Sequence, residues 1–434
     1  MSSVDLLRPK IRAIETLIVA GRFDEAQEAL SALHAAAPHD VRVHLVRATL
    51  GRAAARPAEE IASLRQAVEL VPGWPLPRAE LAKALARNGS SEEAVDAIGE
   101  AFKRAPDDLS VIEMAVAIAG QAGYESISQY YLEAALRLRP GDLSIRAALA
   151  LCLSKQRKYA EALTHWQAML DRGAVNAFAL GWFGTCLLGV GRRVEACRVL
   201  ERAVALEPDN PVPKFTLAVA KGETPRTLPP EITRDLFDGY AQRFDKELVT
   251  ALEYRVPERV TEIIRQRAPA LDISLLDIGC GTGLLAASLG RIGGDFVGVD
   301  LSAGMLEQAR RREIYTRLSQ RDLLDELRHT PPQSYDYIVS NDVFIYVGDL
   351  REVIPATYPL LRPGGALIFS CETAAEGEGA LVLRPSNRYA HSQTSVERFC
   401  LDAGFTSIVF ESVDLRLEES GGAIRGFIAI AERT

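Results

Sequence analysis

Small, apolar and turn-forming residues recur along the first half of the chain at intervals of 34. Pro38, Pro72, Pro106, Pro140 and Pro208 stand at multiples of that interval, and the missing member of the series is Ala174. A second column reads Gly21, Ala55, Gly89, Gly123, Arg157 and Gly191. A third, of mostly small residues, reads Ala26, Glu60, Ala94, Ser128, Ala162 and Ala196, and a fourth Ile14, Ala48, Ala82, Val116, Ala150 and Gly184. Glycine relaxes a turn between two helices, small residues let helices approach, and proline ends a helix because it has no amide to continue the ladder. The pattern predicts six helix–turn–helix units over about residues 7–210 and a capping helix from Pro213 to Ala220. Cys152 and Cys186 share the 34-residue spacing and read as equivalent core positions.

From residue 231 onward the period disappears. Short apolar runs alternate with helical stretches instead, a pattern that predicts an α/β fold. Ile273 to Ile278 is a strand running into the turn Gly279-Cys280-Gly281-Thr282-Gly283, and Leu284 to Leu289 begins a helix. Phe296 to Asp300 is a second strand, ending in an acid 21 residues after Gly279. Strand, glycine turn, helix, strand and acid form a nucleotide-binding unit. Gly279 and Gly281 admit a close backbone approach, and Asp300 is placed to accept ribose hydroxyls. The spacing is GxGxG. The dinucleotide fingerprint needs a small residue at position 284, which is Leu here, so a nicotinamide-dependent oxidoreductase is disfavoured. Lys221 to Pro230, polar and rich in proline, reads as a linker between a 1–220 repeat domain and a 231–434 domain.

The 34-residue units resemble the tetratricopeptide repeat. Asp277-Ile-Gly279-Cys280-Gly281-Thr-Gly283 resembles motif I of the class I S-adenosylmethionine-dependent methyltransferases, and further segments follow in the family's order. These are Arg321-Asp322-Leu323, Tyr335 to Asp342, and Leu361-Arg-Pro-Gly-Gly365-Ala-Leu-Ile-Phe-Ser370. The stretch from Asp238 to Pro257 looks like the leading helix of the Williams–Beuren-region methyltransferases and, more loosely, of quinone-biosynthesis methyltransferases. Over its full length the chain resembles tetratricopeptide-linked methyltransferases of bacteria. The implied fold is an all-α solenoid followed by a Rossmann-like domain with a seven-stranded mixed sheet. The implied cofactor is S-adenosylmethionine, held by Tyr240, Asp277, Gly279, Cys280, Gly281, Asp300, Leu301, Met305, Asp322, Leu323 and Asn341. Tyr240 and Phe244 would form a lid, Met305 would pack on the adenine, and the Arg321–Leu323 segment would bind its amino group.

Methyl transfer from a sulfonium needs positioning and exclusion of water more than acid–base chemistry; an acceptor hydroxyl or amine also gains from a general base. His391, expected in a loop before a helix opened by Thr394, is the first candidate, with Asp342 and Tyr346 behind it. No metal-ligand spacing is present. An α-solenoid usually offers a groove to a protein or peptide; the array's other possible uses are to pair two copies of the chain or to prop the enzyme domain. The competing functional class is a repeat-based adaptor whose second domain only retains the cofactor.

Charge narrows the partners. The first 220 residues carry 26 basic and 26 acidic side chains, so the whole net charge of −8 falls on the remainder. Such a domain repels nucleic acid, and Arg310-Arg311-Arg312 reads as a solvated helix face. No apolar run is long enough to span a bilayer. Charges scattered through the first twenty residues argue against an export signal. Six cysteines without a CxxC pair suit reduced thiols in the cytoplasm.

Overall fold

The computed structural model describes residues 4–240, 244, 245, 253–417 and 422–434. The chain divides into two compact units, Met1–Val175 and Asn176–Thr434. The first is built of helices from Val4–Val19 to Tyr159–Leu170, each packed on its neighbours in sequence. Every member of the glycine column takes a left-handed conformation, with φ between +54° and +80°, including the non-glycines Ala55 and Arg157. The third column is buried at all six positions, and Glu60 among them is neutralised by Arg87 at 2.5 Å. A further 34-residue column emerges: Asp40, Asp108, Asp142, Asn176 and Asn210 each cap a helix by accepting from backbone amides one turn in. Trp74, the remaining member, cannot cap, and Pro75 follows it in the first turn. Ala174 breaks the proline column immediately before the boundary between the units.

The second unit begins with the last repeat helices, Ala177–Gly189 and Arg193–Leu206, and the capping helix Pro211–Lys221. The stretch read as a linker is a packed strap. Leu228 is buried against Phe215 of the capping helix and Tyr389 of the sheet. Tyr389 Oη donates to the Pro225 carbonyl at 2.8 Å, and Asp349 N to that of Arg226 at 2.7 Å. Two apolar contacts and two hydrogen bonds explain why this polar-looking segment does not stay free.

Among the described residues the sheet has nine strands: β1 (Leu275–Ile278), β2 (Phe296–Asp300), β3 (Arg317–Gln320), β4 (Tyr335–Ser340), β5 (Leu361–Thr373), β6 (Leu381–Leu383), β7 (Tyr389–His391), β8 (Ser407–Leu417) and β9 (Ala423–Glu432). Seven run in the order β3-β2-β1-β4-β5-β9-β8, parallel as far as β5 and antiparallel through β9 and β8. This is the expected Rossmann-like sheet. Two short strands were not expected. β4 pairs with β5 up to Ser340↔Phe369, and beyond it β7 takes over that edge at Glu372 and Thr373, with β6 antiparallel outside it. The β6–β7 hairpin therefore stands past the carboxyl end of β4. There the strands of an open α/β sheet leave room for ligands. Among the described residues no helix is long and apolar enough to cross a membrane.

Candidate functional site

β1 is apolar and buried along its length because it lies between two parallel neighbours. It delivers Asp277 and then the glycine turn to the carboxyl edge. Gly279 and Gly281 have φ of +67° and +55°. A Cβ on Gly279 would lie 2.3 Å from Val343 Cγ2, whereas one on Gly281 would enter open space. The space over Gly281 is open, so the backbone there can be approached closely. The Gly281 amide donates to Asp300 Oδ2 at 2.9 Å, and Ser302 N donates to Asp300 Oδ1 at 2.8 Å. Each carboxylate oxygen keeps a lone pair for a further donor. Burial pushes the Asp300 carboxyl above its usual range, against the pull of those amides.

Asp277 is 1% exposed and its carboxyl is pushed up to about 7 by burial, opposed by a 2.7 Å hydrogen bond from Tyr315 Oη and reinforced by the charge of Asp300. A cation placed beside it would keep it ionised. Cys280 is buried in the turn, its thiol pushed well up by burial. Leu301 is half-buried and its carbonyl accepts from Gln320 Nε2 at 3.2 Å. Met305 is buried behind β2, its amide held by Ser302 Oγ at 3.1 Å. Asp322 caps the helix Leu323–His329 through one oxygen, accepting from Leu324 N and Asp325 N, and Leu323 is half-buried beside it.

The segment before the sheet reaches over this turn. Asp238 accepts from Ser302 Oγ at 2.5 Å and Gly304 N at 3.3 Å. Asp245 accepts from Thr282 Oγ1 and Arg312 Nη2, and Arg312 Nε donates to the Thr282 carbonyl at 2.7 Å. Arg312 is therefore no solvated face residue: it ties the glycine turn to the leading segment, while Arg310 and Arg311 pair with Glu307 at the surface. Phe244 is half-buried with its ring 6.1 Å from Phe237. Tyr240 ends the helix Pro230–Tyr240, and its side chain lies outside the described residues.

The end of β4 holds polar atoms that lack partners among the described residues: Ser340 Oγ and Asn341 Oδ1 are both buried and unbonded. Asp342 has φ of +55° and accepts from Ser370 Oγ at 3.0 Å and from Arg416, a nearly buried ion pair. Backbone strain of this kind gathers where a fold holds a functional loop. Tyr346, on the helix Phe344–Val347, accepts from Arg388 Nε at 3.2 Å, and its ring meets Phe237 edge-on at 5.3 Å. His391 is not in a loop but ends β7, 2% exposed. The helix after it begins at Gln393 and is capped by Ser392, two residues ahead of the expected cap at Thr394. His391 Nε2 lies 2.6 Å from the Gly348 carbonyl. A carbonyl only accepts, so Nε2 carries the proton. Nδ1 is left as a buried lone pair without a partner, and burial pulls the imidazole below its usual value. Sequence reading passed over Arg388 and Arg416. Neither belongs to a motif, and only the hairpin and the bulge in β8 bring them here.

Comparison with known proteins covers parts of this architecture. Residues 276–367 match a family described as a methyltransferase domain, and residues 12–75 one described as a tetratricopeptide repeat. The ubiquinone biosynthesis O-methyltransferase of Serratia proteamaculans is 30% identical over 117 residues, 26% of this chain and 48% of that protein. That of Proteus mirabilis is 29% identical over 141 residues, 31% and 58% of the two chains. The chain thus spans about half the length of the curated relatives it matches. Among solved structures, magnesium protoporphyrin IX methyltransferase from Synechocystis PCC 6803 is similar at 19% identity and a TM-score of 0.37, over 47% of this chain and 99% of that one. YrrB, a tetratricopeptide-repeat protein described with an unusual peptide-binding site, matches 43% of this chain and 96% of its own at 18% identity and a TM-score of 0.38. The chain carries a methyltransferase domain preceded by tetratricopeptide repeats.

Proposed function

We propose that this chain is an S-adenosylmethionine-dependent methyltransferase acting on an oxygen or nitrogen acceptor, with its repeats recruiting a protein partner or substrate. The observation that carries the reading is Asp300, held by the Gly281 amide at 2.9 Å beside open space where a side chain on Gly281 would stand, with the buried Asp277 carboxyl near enough to feel its charge. The donor would bring a sulfonium methyl that an acceptor lone pair displaces in line, sulfur keeping the bonding electrons. Asp300, oriented by the Gly281 amide, would hold the ribose edge, and Asp277 the ammonium end. Asp322, Leu323, Leu301 and Met305 would frame the adenine. Asn341 Oδ1, buried and unbonded, is an acceptor waiting for a donor at the junction of the two ligands.

The acceptor side lies at the ends of β4, β5 and β7. Tyr346 faces it with a hydroxyl, and Phe237 and Phe244 supply an apolar wall. His391 acts as a positioning residue here: its Nε2–H fixes the Gly348 carbonyl, and with it the loop that follows Tyr346. Asp342 holds the same rim through Ser370 and Arg416. The six cysteines, none of them paired, suit a reducing cytoplasm.

The test is calorimetric titration of S-adenosylhomocysteine into the chain and into Gly281→Val. A side chain standing over this turn should weaken binding by at least about 10-fold, or about 1.4 kcal/mol. Equal affinity in a folded variant would move the ligand elsewhere. Binding to neither protein would favour the adaptor reading.

A further inference from the structure

Three arginines gather near the end of β5, and only two have an acidic partner. Arg416 is paired with Asp342. Arg384 lies 3.2 Å from Glu372 and 2.6 Å from Glu378. Arg388 is half-buried and makes no ion pair among the described residues; its one hydrogen bond goes from Nε to the neutral Tyr346 hydroxyl at 3.2 Å. The guanidinium has surrendered part of its hydration, and its counter-charges act only at a distance, without a direct ion pair. Its two Nη nitrogens form the planar pair of donors that suits an oxyanion.

The backbone aims this residue deliberately. Arg384 N donates to the Arg388 carbonyl at 2.8 Å and Asn387 N to that of Arg384 at 2.9 Å, closing the turn between β6 and β7. Asn387 takes φ of +60° to make it. β7 then pairs with β5 beyond the end of β4, which brings Arg388 beside Tyr346. Phe237, edge-on to Tyr346, and Phe244 behind it make the neighbouring wall aromatic. One unpaired cation beside an aromatic wall selects an apolar body carrying an anion.

We propose that Arg388 recognises the methyl acceptor, and that the acceptor is an apolar or aromatic molecule bearing a single carboxylate. The inference rests on the methyltransferase reading and its placement of the acceptor side. A carboxylate fits better than a doubly charged phosphate. Asp342 and Glu372, though each is engaged by its own arginine, lie near enough to act on Arg388, and they oppose a second negative charge.

The experiment uses the full chain saturated with S-adenosylhomocysteine and titrates benzoate, benzamide and phenyl phosphate by calorimetry. Benzoate should bind about 10-fold or more tightly than benzamide, the margin of a charge-assisted pair, and phenyl phosphate no tighter than benzoate. Arg388→Gln should erase the preference for benzoate over benzamide and Arg388→Lys keep part of it, both with unchanged S-adenosylhomocysteine affinity as the control for folding. Three outcomes overturn the proposal alone: equal binding of benzoate and benzamide, no benzoate binding up to about 10 mM, or an undiminished preference in Arg388→Gln. Tighter binding of phenyl phosphate would replace the carboxylate by a phosphate. Failure of S-adenosylhomocysteine itself to bind would overturn the methyltransferase reading and this inference with it.

Discussion

The turn column of the repeats and the methyltransferase domain use glycine for different reasons, and the difference separates scaffold from site. In the turn column of the repeats a glycine meets a demand of the turn only: Gly21 has φ of +73° and open space where a Cβ would stand. The same demand recurs every 34 residues, and Ala55 and Arg157 meet it at a cost. In the methyltransferase domain the glycines also make room. A Cβ on Gly279 would lie 2.3 Å from Val343 Cγ2, and one on Gly348 would lie 2.2 Å from the Arg226 carbonyl oxygen. A repeated role tolerates a poor member, whereas a role filled once does not.

The sharpest way to break this comparison is Gly348→Ala set beside Gly21→Ala. The first combines backbone overlap with left-handed strain and should cost about 3 kcal/mol or more; the second carries strain alone, about 1–2 kcal/mol. Thermal and denaturant unfolding of the full chain would read both, and equal losses would erase the distinction between turn and close contact. A smaller effect concerns pH. A cationic ligand binds the ionised Asp277, whose carboxyl stands at about 7, so protonation competes with it. S-adenosylmethionine affinity should hold above that value and fall below it by about 10-fold per pH unit. Tyr315→Phe removes the hydrogen bond that favours the ionised form and should shift the fall to higher pH. A flat profile from pH 5 to 8 would remove Asp277 from the ligand's ammonium.

His391→Ala should lower turnover while sparing cofactor affinity, and His391→Gln, which can still donate to Gly348, should recover most of it. A variant that recovers nothing would argue for a proton-transferring imidazole instead. The smallest change is a gain: Ala55→Gly and Arg157→Gly should each stabilise the repeats by about 0.5–1 kcal/mol, the strain relieved exceeding the added chain entropy. A loss in both would mean that the left-handed turns cost nothing there.

Much of this was legible in the sequence. The 34-residue columns foretold the helix pairs, and the glycine turn, Asp300 and the Pro-Gly-Gly segment foretold a Rossmann-like sheet. What escaped has physical reasons. The β6 and β7 strands are three residues each, too short for an alternation of apolar and polar residues to show. The strap looked like a linker because its composition is polar, yet Leu228 and two backbone carbonyls anchor it. The capping column hid because Asp, Asn and Trp share it. Arg312 stood in a basic run that only the fold divides between surface and site. Arg388 acquires its meaning from contacts with Tyr346, 42 residues away.

The most direct test of the central claim is calorimetric titration of S-adenosylmethionine, and separately NAD, into the purified chain and its Asp300→Ala variant. The account predicts saturable binding of S-adenosylmethionine, weakened about 10- to 150-fold in the variant as hydrogen bonds to a charged group are lost, and no comparable binding of NAD. Unchanged affinity in a folded Asp300→Ala protein, or preference for NAD, would contradict it.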